Sequence, residues 1–120
     1  MSKKVRLLVL ISTALVSIAM TSCTSDKGDF LLTNKSNKTI TRAVVSVCNQ
    51  TIELNSIQPN KSASGFFEVK SDSHYDVMVE YGSGRTLHKN VGYVTNGFNF
   101  HGELVVTDTD IKVSEDRRKT

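Results

Sequence analysis

This chain of 120 residues predicts an all-β fold, a single antiparallel β-sandwich of about seven or eight strands, after its first 22 residues. Three observations carry that expectation. Residues 74–81 alternate strictly, with Tyr75, Val77, Val79 and Tyr81 on one parity and His74, Asp76, Met78 and Glu80 on the other. That is the period of a strand with one buried face. Short segments rich in β-branched and aromatic residues follow one another, separated by turn chemistry at close spacing. Beyond residue 22 there is no 3.6-residue apolar stripe of useful length, no repeat and no low-complexity tract.

Residues 1–22 are set apart. Lys3, Lys4 and Arg6 precede an apolar run over residues 7–20. The run is short of the roughly 20 apolar residues a membrane-spanning helix needs. It fits the apolar region of an export signal, which runs about 7–15 residues behind a positive start. The run ends in Met20-Thr21-Ser22-Cys23, which resembles the lipobox of bacterial lipoproteins. In that family small residues precede a cysteine that is acylated and becomes the first mature residue. The resemblance implies a lipid on Cys23 and a domain held at a membrane. Met20 stands where the family usually carries leucine. An ordinary cut after Ser17-Ile18-Ala19 is the alternative, and it would leave Cys23 and Cys48, the two cysteines of the chain, free to pair. With Cys23 lipidated, Cys48 stays a lone thiol and no disulfide is expected. Thr24 rather than aspartate follows the cysteine, which by the same resemblance implies the outer membrane of a Gram-negative cell, facing the periplasm. A soluble periplasmic or secreted protein is the alternative location.

Removal of this segment also removes the basic excess. The chain holds 15 Lys plus Arg against 12 Asp plus Glu. Loss of Lys3, Lys4 and Arg6 balances the two, so no electrostatic footprint for nucleic acid or for an anionic membrane surface is expected of the domain as a whole. What remains suits one domain.

Residues 23–29 read as the lipidated cysteine and a short polar tether, residues 30–113 as the sandwich and residues 114–120 as a flexible charged tail. Within the sandwich, residues 30–33 form the first strand and residues 34–38 a polar turn. Residues 39–48 are the longest strand candidate, and Asn49-Gln50 reverses the chain into residues 51–54. Pro59 and Asn60 make a turn, proline setting φ and asparagine tolerating a left-handed backbone. The next strand, residues 63–70, puts Phe67 and Val69 on one face and Phe66 with Glu68 on the other. Residues 71–73 turn into the alternating strand 74–81. Gly82-Ser83-Gly84 bends it back into residues 86–91. Residues 92–102 are rich in glycine, asparagine and aromatics, and residues 103–107 and 111–113 form a last hairpin. The proline bend of residues 57–62, followed later by Tyr75-x-Val77-x-Val79, loosely resembles fibronectin type III and related immunoglobulin-like domains, which implies an immunoglobulin-like sandwich.

Candidate chemistry is thin. With a reversal at Ser83-Gly84, His88 lies opposite Val79 and His74 opposite Tyr93, so His74, His88 and His101 make no ligand cluster and no metal site is expected. Asp72-Ser73-His74 lists the residues of a triad, but neighbours on a strand point apart, and a triad is a matter of converging geometry. No catalytic residue and no cofactor is expected. Four Asn-x-Ser/Thr triplets start at Asn34, Asn37, Asn49 and Asn60, all where turns are expected. Tyr93, Asn96, Phe98, Phe100 and His101 form the candidate binding surface, since aromatic and polar loops on a rigid sandwich often bind. The competing reading is that Phe98 and Phe100 plug one end of the core.

The expectation from sequence is a lipid-anchored bacterial envelope protein with a non-catalytic structural or protein-binding role. Its expected contacts are the membrane, through Cys23, and an envelope protein, with no nucleic acid and no small-molecule substrate. The alternatives are an unlipidated, inhibitor-like secreted binder and a small envelope enzyme.

Overall fold

The computed structural model describes residues 26–119. The signal segment, Cys23 and Thr24 therefore lie outside the described residues. Eight strands form among those described: β1 (Asp26–Asn34), β2 (Ile40–Val47), β3 (Gln50–Ile57), β4 (Ser62–Val69), β5 (Ser73–Tyr81), β6 (Thr86–Val94), β7 (Asn99–Val106) and β8 (Ile111–Lys119). They make two four-stranded sheets, ordered β4-β1-β7-β8 and β3-β2-β5-β6. The expected sandwich is the fold observed. One ladder, β1 with β7, runs parallel; the other five are antiparallel. The sheets meet along their edges, β3 against β4 and β6 against β8.

The core follows from alternation. Tyr75, Val77, Val79 and Tyr81 of β5 are all buried, facing Phe30, Leu32, Leu104 and Val106 of the other sheet. Burying each such aliphatic side chain is worth about 1.5–3 kcal/mol. Tyr75 sits at the centre, with Phe30 edge-on at 6.1 Å and Phe67 at 5.9 Å between ring centroids. The aromatic rings have room because glycines lie opposite them. Gly28 pairs with Phe67, and Phe30 pairs with Gly65. The ring of one strand thus covers the bare backbone of its neighbour, the device known as aromatic rescue.

Turn chemistry decides the registers. The β2–β3 reversal uses Cys48 and Asn49, with φ of 51° and 59°, the double left-handed pattern of a two-residue hairpin. It sits one residue earlier than the expected Asn49-Gln50, and Gln50 instead opens β3. The Cys48 thiol is buried and free, donating to the Ser71 carbonyl at 3.4 Å. At the proline bend the Lys61 amide donates to the Gln58 carbonyl at 3.0 Å, and Asn60 has φ 66°, as the expected turn requires. The β5–β6 hairpin closes through the Gly84 amide on the Tyr81 carbonyl, with Gly84 at φ 92°. This three-residue loop pairs Met78 with His88, one residue away from the Val79 partner expected for a two-residue reversal. A one-residue slip moves a side chain to the other face. His88 therefore stands on the outer surface, its Nε2 2.5 Å from Asp76.

Two segments are more ordered than composition suggests. Asp26, Lys27, Gly28 and Asp29, read as tether, form the first half of β1; all four pair with β4, and Gly28 and Asp29 pair with β7 as well. Residues 114–119, read as a flexible tail, continue β8 against β7 from Glu115 to Lys119. In both, alternate polar residues serve the outer face and the backbone ladder supplies the order. Residues 92–102 contribute the end of β6 and the start of β7, leaving residues 95–98 as the connection.

The two ends of the sandwich are distinct. One gathers the start of β1, the turns at residues 48–49 and 70–72, the connection 95–98 and the end of β8. Hydrogen bonds tie it together: the Lys27 amide to Asn99 Oδ1, the Cys48 amide to Ser73 Oγ and the Asn96 amide to Asp72 Oδ1. The opposite end gathers residues 35–39, 58–61, 82–85 and 107–110, tied by the Asn37 amide to Asp108 and Arg85 to the Asp108 carbonyl.

Candidate functional site

The outer face of the β4-β1-β7-β8 sheet carries the most organised side-chain cluster. Alternate strand residues share a face, so the ladders line up two rows. Phe66, Asp29, His101 and Arg117 stand side by side in one; Ser64, Leu31, Glu103 and Glu115 form the next. Between Phe66, Leu31, Ser64 and the histidine cluster lies an open groove of about 410 Å³. Phe66 is 75% exposed. Its presence outside follows from Phe66-Phe67 lying on one strand: adjacent aromatics must face opposite ways, and Phe67 takes the core.

His101 is held at both ring nitrogens. Nδ1 faces Asp29 Oδ1, and Nε2 lies 2.9 Å from Glu103 Oε2. Two carboxylate acceptors require two N–H donors, which only the imidazolium has. The hydrogen bond to Asp29, then that to Glu103, raises the His101 pKa above its ordinary value, against a smaller effect of burial. A ring donating from both nitrogens has no lone pair for proton abstraction. The cluster offers an anionic rim beside an apolar surface, suited to a cationic group flanked by hydrocarbon.

The raised pKa has a stability consequence. The folded state binds the His101 proton more tightly than the unfolded chain, whose histidine titrates near 6.5. The stabilisation is therefore complete below about pH 6.5 and is lost as pH rises through the higher folded pKa. Urea midpoints should fall across that window in the unaltered protein. In His101→Gln the same window should be flat.

The candidate residues from sequence separate in space. His101 belongs to the outer-face cluster. Phe100 is buried, 6% exposed, and belongs to the core rather than to a contact surface. The shared parity of Phe98 and Phe100 is accordingly a packing feature in part, with Phe98 half-buried against the core. Tyr93, 59% exposed, and Asn96 lie at the β1-start end. There the Arg118 guanidinium stacks 4.5 Å from the Phe98 ring centroid. The Asp72-Ser73-His74 run is structural: Asp72 accepts the Asn96 amide, and Ser73 Oγ accepts that of Cys48. Among the described residues no group of three His, Cys, Asp or Glu is placed to hold a metal ion.

Asp29 and Glu103 escaped sequence reasoning because their partner, His101, is brought to them by a parallel ladder between distant strands. The legible signals were His101 itself and the Phe66-Phe67 doublet.

No family model matches the sequence, and no curated protein matches it. Among solved structures, the chain is similar to an NMR structure of a protein from Eubacterium rectale. The TM-score is 0.52 at 14% identity, covering 73% of this chain and 86% of that one. It is also matched to the membrane-binding domain of pneumolysin at a TM-score of 0.37 and 12% identity, covering 76% of this chain and 96% of that one. A non-hemolytic pneumolysin from Streptococcus pneumoniae gives 0.37 at 12%, covering 80% of this chain but 24% of the toxin. The first likeness is one of fold alone, and the two pneumolysin matches carry no argument about this chain.

Proposed function

We propose that the chain is a lipid-anchored bacterial envelope protein whose role is to bind another envelope protein, with no catalytic step of its own. The observation that carries the binding reading is Phe66, exposed beside the groove whose rim is Asp29, His101 and Glu103. An exposed aromatic next to a concave polar rim is the anatomy of a protein contact. The chemistry selects a partner segment that places a lysine or arginine at the carboxylates and an apolar side chain on Phe66 and Leu31. The doubly donating His101 supports a binding rather than a catalytic role. Anchoring is supported by the lipobox-like Met20-Thr21-Ser22-Cys23 and by the start of β1 at Asp26, three residues after Cys23. That span is about 10 Å when extended.

A photocrosslinking residue at position 66, expressed in the native envelope, tests the proposal. The expected result is one dominant protein adduct, mapped to a peptide with a basic residue beside an apolar one and strongly reduced by Glu103→Lys. Adducts as sparse as those from a probe at the exposed Thr51, unchanged by Glu103→Lys, would contradict it.

A further inference from the structure

The end of the sandwich where β1 begins carries a second organised patch, on the seam between β6 and β8. Tyr93 is 59% exposed there, one of two large apolar side chains so exposed among the described residues, the other being Phe66. Beside it, Thr95, Asp116 and Arg118 line a shallow hollow of about 320 Å³ floored by Phe100. Arg118 lies over the Phe98 ring at 4.5 Å. The adjacent Arg117 is already engaged with Glu115 at 3.1 Å. Arg118 has no carboxylate partner among the described residues. Asp116 is turned inward: Oδ2 accepts the Tyr93 amide at 2.9 Å, and Oδ1 is buried without a partner. Burial raises its pKa, against the Tyr93 amide, which lowers it.

This patch lies at the same end as Asp26, the point where the chain leaves toward Cys23. A lipid on Cys23 would hold that end within about 10 Å of the headgroups. Exposed tyrosine, an aromatic ring and a guanidinium on a long apolar stem are the groups that settle at a bilayer interface. On the lipid-anchored reading above, we infer that Tyr93, Phe98 and Arg118 lie in the phospholipid headgroup layer, with Arg118 directed to lipid phosphate. The contact fixes the tilt of the sandwich and presents the Phe66 groove, on the side of the domain, to partners in the periplasm. It gives Tyr93, Asn96 and Phe98 a bilayer as their contact rather than a protein.

The chain has no tryptophan, so single-tryptophan variants report position cleanly. Tyr93→Trp probes the patch, and Thr109→Trp probes the opposite end, both at exposed positions. The full-length, natively processed protein is placed in vesicles of phosphatidylethanolamine and phosphatidylglycerol whose acyl chains are brominated near the headgroup. Fluorescence of Tyr93→Trp should be quenched at least threefold more than that of Thr109→Trp. Adding Arg118→Glu should reduce the difference by half or more. Protein that floats with the vesicles but shows equal, weak quenching at both positions overturns this inference and leaves the anchor standing. Protein that stays out of the vesicle fraction, with an unmodified N-terminus, overturns the anchor and this inference together.

Discussion

Gly65→Val is expected to leave the protein largely unfolded at room temperature. A Cβ on Gly65 would fall 2.2 Å from Cζ of Phe30, whose ring is 1% exposed and cannot swing away. Gly28 is the reciprocal case, its Cβ meeting Phe67 Cζ at 2.3 Å. Overpacking a sound core commonly costs about 1–3 kcal/mol and sometimes more. Here the intruding atom meets a ring locked edge-on against Tyr75, so alanine should cost about 3 kcal/mol and valine more. A domain of this size has roughly 5–15 kcal/mol in total. Urea unfolding of Gly65→Ala, Phe30→Leu and the double variant checks the cause. The double variant should be more stable than the sum of the single effects allows, because Phe30→Leu removes the atoms that collide.

The second large effect is expected at Asn34, which is fully buried at the end of β1. Its amide nitrogen donates to the carbonyls of Lys38 at 2.8 Å and Ile57 at 2.9 Å. Its oxygen accepts from the Ser36 amide at 2.9 Å and the Ser36 hydroxyl at 2.6 Å. All polar capacity of the side chain is used, so the turn of residues 34–38 is closed and joined to the end of β3 through one residue. Asn34→Asp keeps the shape but removes both donors and sets a buried charge against two carbonyls. Each orphaned buried group costs about 1–3 kcal/mol, so a loss of about 3–5 kcal/mol is expected at neutral pH. Protonation of the new carboxyl restores one donor, and part of the loss should be recovered toward pH 4. Urea midpoints at pH 7 and pH 4 test both statements.

These two sites show what the sequence could and could not tell. The strict alternation of residues 74–81 and the pair Phe67 and Val69 located six of the buried core side chains, because burial on one face of a strand is a local property. The Pro59-Asn60 turn was equally legible, its backbone being set by the two residues themselves. Gly28 could not be read as a core position: its neighbours Asp26, Lys27 and Asp29 are polar, and only the Phe67 ring of another strand gives it meaning. Asn34 read as part of a polar turn, since the carbonyls it satisfies belong partly to Ile57, far along the chain. The registers at Cys48-Asn49 and at residues 82–84 were each missed by one residue. A cysteine rarely adopts positive φ, and a three-residue loop looks like a two-residue one in sequence. The candidate site suffered most. His101 was singled out, but Asp29 was assigned to a tether and Glu103 to an ordinary strand. The parallel β1–β7 ladder that joins them has no local signature.

The anchored reading rests on residues 20–23 more than on any other part of the chain. It is tested most directly by the mass of the mature N-terminal peptide. The expected result is a peptide beginning at Cys23 and carrying a diacylglyceryl group, with or without a further acyl chain on the amino group. A peptide that begins at Met20 without lipid would contradict the account.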